Sequence, residues 1–277
     1  MISKRFPVFP HVMWTDISIK AQIGWGSSCS VNRCEWRGSA YALKLYHPNI
    51  IRQIEREVAI APYLQHPNIV RVVAIVDSAN ADAQTAGLLM ELASDSLAGV
   101  LASPSRPSKA TLLRWLHEVA RGIEYAHQCR VVHSDIKPDN IMTVVNEQQH
   151  TVAKVTDFGS ASIASTIGAA TTTVRGTPMF IAPEYAVGDT GPTNASDVFS
   201  FGMTMWCALV PQGTHHGLGR TDIQVALALN KRLRPPMETL DPVHANLIER
   251  CWAADPSMRP SMVEVEEALR YLVASSE

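Results

Sequence analysis

Short runs of alternating apolar and polar residues dominate the first third of the chain and predict strands. Residues 17–23 place apolar side chains two apart, which predicts a strand with one buried face. Residues 41–46 and 69–76 are rich in β-branched and other apolar residues and also predict strands. Between them, residues 51–61 keep the apolar spacing of a helix, which Pro62 should end or kink.

The second half of the chain has helical periodicity instead. Residues 112–126 place apolar side chains on one helical face after the candidate cap Ser108, and residues 197–209 are apolar nearly all round, which predicts a buried helix. Ser261 and Glu264 form a capping box before a further apolar helix. Strands followed by helices predict an α+β protein with two layered lobes, not an alternating βαβ sheet.

Composition places this chain of 277 residues among globular proteins, because 46% of the residues are hydrophobic and only 18% are charged. The formal net charge of -2 argues against a nucleic-acid or membrane-surface binder. The five cysteines are scattered and odd in number, which favours free thiols in a reducing compartment. With no apolar signal segment and no run long enough to span a bilayer, the expected location is cytoplasmic, without a membrane partner.

A glycine-rich turn joins two strand-like segments at Gly24 and Gly26. Glycines let backbone N–H groups approach phosphate oxygens without interference from a Cβ atom. A simple hairpin turn is the more common explanation of such a sequence, and both interpretations stay open on this feature alone. A dinucleotide-binding fingerprint is disfavoured, because the sequence continues as a strand and not as a helix.

Lys44 lies inside the apolar run 41–46. It could be an edge lysine whose ammonium group reaches water. It could also hold the phosphates of a nucleotide, in which case it needs an anionic partner. Glu57, on the predicted helix, is the candidate for that partner.

Residues 133–140 hold the strongest local signal, because they bring together a base, a cation and a metal ligand. Asp135 can accept the proton of an attacking hydroxyl, Lys137 can neutralise a transferring phosphoryl group, and Asn140 offers an oxygen to Mg²⁺. Asp157 follows Asn140 by 17 residues and supplies a second hard oxygen ligand. A merely polar turn does not explain this pairing of two segments.

The order of these features resembles the protein kinase family. A glycine turn, a strand lysine, a helix glutamate, the 133–140 segment, Asp157-Phe158-Gly159 and Ala182-Pro183-Glu184 follow one another as in that family, across about residues 16–273. The Trp-Arg-Gly turn before the lysine strand is most similar to the tyrosine-kinase-like group of serine/threonine kinases.

This resemblance implies a bilobal kinase fold with a small antiparallel β-sheet and one helix in the N-lobe and a mainly helical C-lobe. The implied boundaries are an N-terminal extension over 1–15, the N-lobe over 16–90, a hinge over 91–95, the C-lobe over 96–273 and a C-terminal tail over 274–277. The implied reaction transfers the γ-phosphoryl of ATP, with Mg²⁺ or Mn²⁺, to Ser or Thr of protein substrates.

The resemblance also implies roles for individual residues. Asp135 would be the catalytic base, assisted by Lys137, Lys44 and Glu57, while Asn140 and Asp157 would hold the metal. The implied ATP-binding positions are Ile23, Gly24, Trp25, Gly26, Ser27, Ser28, Cys29, Val31, Ala42, Lys44, Met90, Glu91, Ala93 and Met142. The implied structural positions are Asp197 as anchor of the 133–140 loop, Arg259 as partner of Glu184, and Thr177, which with Lys137 follows the serine/threonine pattern.

Two alternatives to a protein kinase remain open at this point. A pseudokinase would keep the fold without the chemistry, but it would be expected to lack Lys44, Asp135 or Asp157, and all three are present. A kinase of small molecules is the other, and Thr177 with the Ala182-Pro183-Glu184 segment favours a protein substrate instead. The sequence defines neither a pathway, nor a peptide consensus, nor an oligomeric state.

Two departures from the family pattern carry further expectations. Cys29 replaces a glycine, and a reactive thiol there is a less favoured alternative to a simple substitution. Ser134 replaces the arginine that holds a phosphorylated activation loop, and the other positions that usually help are the uncharged Gln53 and Ser162. The candidate loop phosphosite is Thr173, and we expect that its phosphorylation is not required for activity.

Overall fold

The computed structural model describes residues 10–26, 29–47, 51–77, 87–146, 148–163, 176–187, 190–210, 224, 228–229 and 231–276. These residues form a strand-rich N-lobe followed by a mainly helical C-lobe, so the predicted α+β class is confirmed. Within the described part of the chain, no helix is long and apolar enough to cross a bilayer.

A six-stranded sheet forms the N-lobe, in the order β1-β5-β6-β4-β3-β2. Its strands are β1 His11–Met13, β2 Ser18–Trp25, β3 Cys29–Trp36, β4 Ser39–Tyr46, β5 Val72–Asp77 and β6 Gly87–Glu91. Neighbouring strands are antiparallel except that β1 runs parallel to β5. Because β1 lies within residues 1–15 and Val12 is buried, part of the segment assigned as an extension belongs to this sheet.

The strand β2 corrects one expectation from the sequence. Its alternating residues predicted a half-buried strand, but Ile19 and Ile23 are 42% and 51% exposed, and no residue of β2 is buried. The reason is its place in the sheet: β2 is the outermost strand beside β3, so the packed layer that covers the central strands does not cover it. Alternation alone therefore predicted the strand correctly and its burial wrongly.

A two-residue turn fixes the register of the strand that carries Lys44. Arg37 and Gly38 both have positive φ angles, 50° and 75°, as the tight turn of a two-residue hairpin requires. The turn pairs Trp36 with Ser39, and the register then places Lys44 opposite Val31 on β3. On its other side β4 pairs with β6, so Lys44 lies in the middle of the sheet.

One helix, α1 (Ile51–Ile60), packs on this sheet and is followed by a 3₁₀ turn over Ala61–Tyr63. Ile54 and Val58 are buried and share an apolar cluster with Ile75 and Leu88 of the sheet. The helix ends before Pro62, as the sequence predicted, because proline lacks the N–H group that an α-helical interior needs. This packing faces Glu57 towards β4.

Six helices are described in the C-lobe. They are α2 Leu97–Ala102, α3 Lys109–Gln128, α4 Pro183–Ala186, α5 Asn194–Leu209, α6 Pro242–Cys251 and α7 Met262–Ala274. Both predicted caps are confirmed: the Ser108 hydroxyl accepts from the N–H of Thr111 at 3.2 Å, and Ser261 and Glu264 form the reciprocal box of α7.

The central helix α5 is buried along almost its whole length, as the sequence predicted. Phe199, Phe201 and Trp206 are among the largest fully buried side chains. A Cβ atom at Gly202 would lie 2.8 Å from the Cβ of Cys251, so glycine permits the close contact between α5 and α6. The C-lobe core is built around this helix, which also carries Asp197.

Short strands connect the lobes to the predicted reaction centre. The first group is β7 Asp95–Ser96, β9 Ile141–Val145 and β10 Thr151–Val155, in the order β10-β9-β7, and the second is β8 Val131–Val132 paired with β11 Ser162–Ile163. The segment 133–140 joins β8 to β9, and Asp157 follows β10 by two residues. The pairing of β9 with β10 holds the segment 133–140 beside the segment that begins at Asp157.

Candidate active site

Lys44 is buried in the cleft-facing part of the N-lobe and has two carboxylate partners. Its Nζ lies 2.8 Å from Oε2 of Glu57 and 2.9 Å from Oδ1 of Asp157. Burial by itself would lower the pKa of Lys44, but these carboxylates raise it well above its ordinary value. Lys44 is therefore a fixed ammonium group inside the sheet, and the interpretation as an edge lysine is wrong.

Tyr46 is a member of this cluster that the sequence analysis missed. Its hydroxyl donates to Oε2 of Glu57, and Nζ of Lys44 lies 5.1 Å from the centre of its ring. Burial raises the pKa of Tyr46 well above its ordinary value, and the charge of Glu57 raises it further, so the phenol stays protonated. The signal in the sequence was the spacing, since residues 44 and 46 share one face of β4.

Asp157 has a backbone conformation that is uncommon for a residue other than glycine, with φ of 64° and ψ of 67°. This conformation begins the 3₁₀ turn Phe158–Ser160 and lets the carboxylate accept from the N–H of Gly159. Burial raises the pKa of Asp157, but the charge and hydrogen bond of Lys44 outweigh it, and the pKa falls to about 2. The group is a carboxylate at neutral pH.

Asp135 lies at the centre of a group of hydrogen-bond donors. Its Oδ1 accepts from the N–H of Thr177 at 2.9 Å, and its Oδ2 lies 3.0 Å from both Nζ of Lys137 and Nδ2 of Asn140. Lys137 also donates to Oγ1 of Thr177 at 2.5 Å. The structure thus brings together four residues named from the sequence, and all of the donors converge on the carboxylate of Asp135 or on Thr177.

The buried carboxylate of Asp197 anchors the start of the segment 133–140 through hydrogen bonds to its backbone. It is 0% exposed and accepts from the backbone N–H of His133 at 2.7 Å and of Ser134 at 2.8 Å. Nε2 of His127 lies 2.9 Å from Oδ2 of Asp197. Ser134 has a φ of 70°, a conformation that is uncommon for a residue other than glycine. The hydrogen bonds from the N–H groups of His133 and Ser134 to Asp197 stabilise this conformation.

His133 connects the two active segments. Its Nδ1 accepts from the N–H of Asp135 at 3.2 Å, so the proton of the neutral ring is on Nε2, which donates to the carbonyl of Thr156 at 2.9 Å. The ring packs against Phe158 with 4.6 Å between ring centres. The position of Asp157 is therefore coupled to that of Asp135 through one imidazole.

Apolar side chains form a packed cluster beside Lys44 and Glu57. Ala42 pairs with Met90 across β4 and β6, and both are buried in one cluster. Val31, Met142 and Cys29 are partly buried against the same cluster. The cluster adjoins the charged residues, because Ala42 and Lys44 are both on β4 and Tyr46 of the cluster donates to Glu57.

The predicted hinge positions follow Met90 of this cluster in the chain. The carboxylate of Glu91 pairs with Nζ of Lys154 at 2.7 and 2.8 Å and accepts from the N–H of Arg71 at 2.7 Å. Its own N–H donates to the carbonyl of Arg71 at 3.0 Å. Ala93 is partly buried, and the N–H of Ser94 bonds to the carbonyl of Thr143, which fixes the hinge to the C-lobe.

The glycine turn leaves space that the protein itself does not need. A Cβ at Gly24 would lie 3.5 Å from the Cβ of Val31, and one at Gly26 would lie 3.8 Å from the nearest atom, both ordinary contacts. Packing within the chain therefore does not explain these glycines, whereas close approach of a phosphate to the backbone would.

The structure describes two of the four other predicted ATP-binding positions in this turn. Ile23 is about half exposed, and Trp25 is 71% exposed with its ring 4.7 Å from that of His47. Ser27 and Ser28 lie outside the described residues.

Cys29 is close to the same charges, but its environment disfavours a reactive thiolate. Burial raises the pKa of the thiol, the charge of Lys44 lowers it, and the carboxylates of Asp157 and Glu57 raise it again. The net effect is a pKa above the ordinary value, which keeps the group a thiol at neutral pH.

Comparison with known proteins agrees with this geometry. The family model of the protein kinase domain matches residues 17–270. The chain belongs to the protein kinase family. Its serine/threonine type, predicted from Lys137 and Thr177, and its resemblance to the tyrosine-kinase-like group agree with the relatives it matches.

Three relatives illustrate the similarity. Serine/threonine-protein kinase CTR1 of Arabidopsis thaliana is 33% identical over 276 residues, which cover 96% of this chain and 32% of that protein. Probable serine/threonine-protein kinase drkD of Dictyostelium discoideum is 32% identical over 276 residues, which cover 95% of this chain and 20% of that protein. Mitogen-activated protein kinase kinase kinase 7 of Homo sapiens is 29% identical over 273 residues, which cover 96% of this chain and 43% of that protein. The chain spans less than half the length of each of these relatives.

An ion pair at the far end of the kinase domain's C-lobe fixes the Ala182-Pro183-Glu184 segment. The guanidinium of Arg259 donates to both oxygens of Glu184, at 2.6 and 2.9 Å, and to the carbonyls of Ala195 and Ala253. Arg259 is buried, so the bidentate geometry and the additional carbonyls satisfy a charge that would otherwise be costly. The pair ties α4 to α5.

Ser134 occupies the arginine position of the family without a charge. It is buried, and its hydroxyl donates to the carbonyl of Val132 at 3.4 Å. Ser162, in β11, is buried as well. The candidate phosphosite Thr173 lies outside the described residues.

Gly176 controls the approach of Thr177 to Asp135. Its φ is 111°, and a Cβ there would lie 2.8 Å from the carbonyl oxygen of Ser134. Both the conformation and this backbone contact exclude a side chain. The neighbouring Thr177 depends on this contact for its two hydrogen bonds in the active site.

We expect Gly176→Ala to lower kcat/KM for a peptide substrate by about 100-fold, the cost of displacing a reacting group by roughly 1 Å. The matched control is Gly38→Ala, because Gly38 also has a positive φ but has no neighbour within 4 Å of its Cβ position and lies in the hairpin turn. Steady-state kinetics of both variants decide the matter. Equal losses in the two would show that backbone strain, not the position of Thr177, causes the effect.

Proposed function

We propose that this chain is an ATP-dependent protein kinase that transfers the γ-phosphoryl group of ATP to serine or threonine hydroxyls of protein substrates. The observation that carries this proposal is the arrangement of two charged clusters in one site. Lys44 pairs with Glu57 and Asp157, and Asp135 lies within hydrogen-bond distance of Lys137 and the Thr177 backbone.

The nucleotide would be held by the first cluster and by the apolar residues beside it. The fixed ammonium of Lys44 suits the α- and β-phosphates, and the space at Gly24 and Gly26 suits their close approach to the backbone. Ala42 and Met142 offer the two apolar faces for the adenine ring. The backbone from Glu91 to Ala93 would read the edge of the base.

A divalent cation would be held by Asp157 and Asn140. Asp157 is a carboxylate with a pKa of about 2, and the side-chain oxygen of Asn140 is a second hard donor, so the donor set suits Mg²⁺ or Mn²⁺. When bound, the metal supplies charge neutralisation between the phosphates. Nδ2 of Asn140 donates to the carbonyl of Asp135 at 2.8 Å, which orients the amide.

The acceptor hydroxyl would be bound and deprotonated at the second cluster, which contains Asp135 and Lys137. Asp135 orients the hydroxyl of the substrate and takes its proton, while the ammonium of Lys137 stabilises the charge on the transferring phosphoryl group. Thr177 holds Lys137 and Asp135 at once, so it sets the distance between base and cation. Catalysis then rests on positioning and electrostatic stabilisation.

The two alternatives receive less support. A pseudokinase is disfavoured because Lys44, Asp135 and Asp157 are present and form the contacts that transfer requires. A small-molecule kinase is disfavoured because the segment from Thr177 to Glu184 is tied into the C-lobe by Lys137 and Arg259, as a surface that docks a peptide would need.

Regulation and location are further parts of the proposal. The uncharged Ser134 supports activity without phosphorylation of Thr173, because no guanidinium stands there to hold a loop phosphate. A cytoplasmic location is supported by five free cysteines. The net charge of -2 supports protein substrates and not nucleic-acid or membrane partners.

Peptide pools that contain serine, threonine or tyrosine as the sole hydroxyl acceptor test the proposal. With labelled ATP and Mg²⁺, we expect incorporation into the serine and threonine pools and none into the tyrosine pool. Chelation of the metal should stop the reaction, and adding Mg²⁺ or Mn²⁺ back should restore it. Incorporation into tyrosine alone, or none into any pool, would refute the acceptor class or the activity.

A further inference from the structure

Two donors from one strand share a single oxygen of Glu57. Nζ of Lys44 lies 2.8 Å from Oε2, and the hydroxyl of Tyr46 donates to the same atom. All three residues are buried: Lys44 is 5% exposed, Glu57 is 3% exposed and Tyr46 is 2% exposed. Glu57 is therefore a buried carboxylate whose position depends on both donors, and the loss of either leaves its charge less well compensated.

Packing fixes the hydroxyl of Tyr46 in place. The ring lies in the apolar cluster that joins Ile54 and Val58 of α1 to Ile75 and Leu88 of the sheet. The hydroxyl is thus carried by a rigid aromatic ring on the face of β4 that contacts the helix. Tyr46 therefore reaches Glu57 from strand β4, an element separate from the helix that carries Glu57.

We propose that Tyr46 is a positioning residue that keeps helix α1 and Glu57 in the arrangement required for phosphoryl transfer. This inference rests on the proposed kinase function. In protein kinases the pair between the strand lysine and the helix glutamate must be in place for catalysis. Without the phenol, Glu57 would have one fewer donor in a buried site, and movement of the helix towards water would become less costly.

A second contact supports the same role for α1. Nη1 of Arg56 donates to the carbonyl of Gly159 at 3.0 Å, which ties the helix to the segment that follows Asp157. In many protein kinases a phosphate on the activation loop controls the position of this helix. Here Ser134 lacks the charge to hold such a phosphate, so contacts from Tyr46 and Arg56 place α1 instead.

The first test compares Tyr46→Phe with Tyr41→Phe. Each variant loses one hydroxyl and keeps its ring, but Tyr41 lies on the opposite face of β4 and packs against Trp36. We expect Tyr46→Phe to lower kcat/KM for ATP about tenfold, as the loss of one hydrogen bond to a charged group would. Tyr41→Phe should match the wild-type protein, and equal effects in both variants would overturn the inference.

A double-mutant cycle separates positioning from general packing. If Tyr46 acts through Glu57, Tyr46→Phe should lower kcat/KM in the wild-type background and have no further effect in a Glu57→Gln background. Additive effects would show that Tyr46 acts by some route other than Glu57 and would overturn the inference.

Hydrogen exchange gives a readout that does not depend on activity. Backbone amides of α1 should exchange faster in Tyr46→Phe than in the wild-type protein or in Tyr41→Phe, while those of α5 should be unchanged. Unchanged exchange in α1 would overturn the inference. A wild-type protein that transfers no phosphoryl group would overturn the proposed function instead, and exchange would still decide whether Tyr46 restrains the helix.

Discussion

Replacement of Asp135 by asparagine is expected to lower kcat by about 100- to 10,000-fold, the range that a positioned general base contributes. Asparagine has nearly the same shape, so the loop can fold, but it cannot take a proton from the acceptor hydroxyl. It also lacks the negative charge that now faces Lys137, Asn140 and the N–H of Thr177. The KM for ATP should stay near the wild-type value, because Lys44, Glu57 and the apolar cluster are untouched.

The matched control is Asp139→Asn. Asp139 lies in the same loop, but its side chain is exposed and belongs to neither charged cluster. Steady-state kinetics with varied ATP and varied peptide give kcat and both KM values for the two variants. A loss confined to KM for ATP in Asp135→Asn would contradict the role as base, and a comparable loss in Asp139→Asn would indicate a general disturbance of the loop.

Replacement of Asp197 by alanine is expected to lower the free energy of unfolding by about 3–5 kcal/mol, the usual cost of removing one partner from a buried charged network. Asp197 is fully buried and accepts from the N–H groups of His133 and Ser134 and from His127. Alanine would leave both backbone donors without an acceptor inside the core. The loop would also lose the support for the positive φ of Ser134.

Thermal unfolding measures this effect, since each kcal/mol corresponds to about 2–4 °C in Tm for a domain of this size. We therefore expect a fall in Tm on the order of 10 °C, together with loss of transfer activity. Glu267→Ala is the control, because the side chain of Glu267 is 60% exposed in its pair with Arg270 at the surface. A Tm for Asp197→Ala as close to wild type as that of the control would show that the loop does not depend on Asp197.

Features with a local cause were predictable from the sequence. The caps at Ser108 and Ser261 need only a side chain and a backbone N–H three residues away, so a short window of sequence contains all the information. The buried helix α5 was equally visible, because its apolar residues surround the whole helix. Its start was placed three residues late, since the cap residues Thr193 and Ser196 are polar.

Features with a distant cause were not predictable in the same way. The pairing of β1 with β5 joins His11 to Ile75, and nothing near residue 11 indicates that partner. The exposure of β2 depends on its place at the end of the sheet and not on its own alternation. Two-residue strands such as β8 and β11 are too short for any periodicity to be seen.

The candidate site divides in the same way. The residues proposed to carry the chemistry were named from the order of segments that resembles the kinase family, and the structure brings Asp135, Lys137 and Asn140 within hydrogen-bond distance of one another. Tyr46 was missed because the importance of its hydroxyl depends on Glu57, which is on a different element. The constraint on Gly176 was missed because the atom that excludes a side chain belongs to Ser134, 42 residues earlier in the chain.

The most direct test of the central claim is the initial rate of phosphoryl transfer from ATP with Mg²⁺ to a pool of serine and threonine peptides. The wild-type protein, Asp135→Asn and Asp139→Asn should be measured side by side at saturating ATP. The structure predicts transfer by the wild-type protein and by Asp139→Asn, and a rate at least about 100-fold lower for Asp135→Asn. Equal rates for all three proteins, or no transfer by the wild-type protein, would contradict the assignment of this chain as an active serine/threonine kinase.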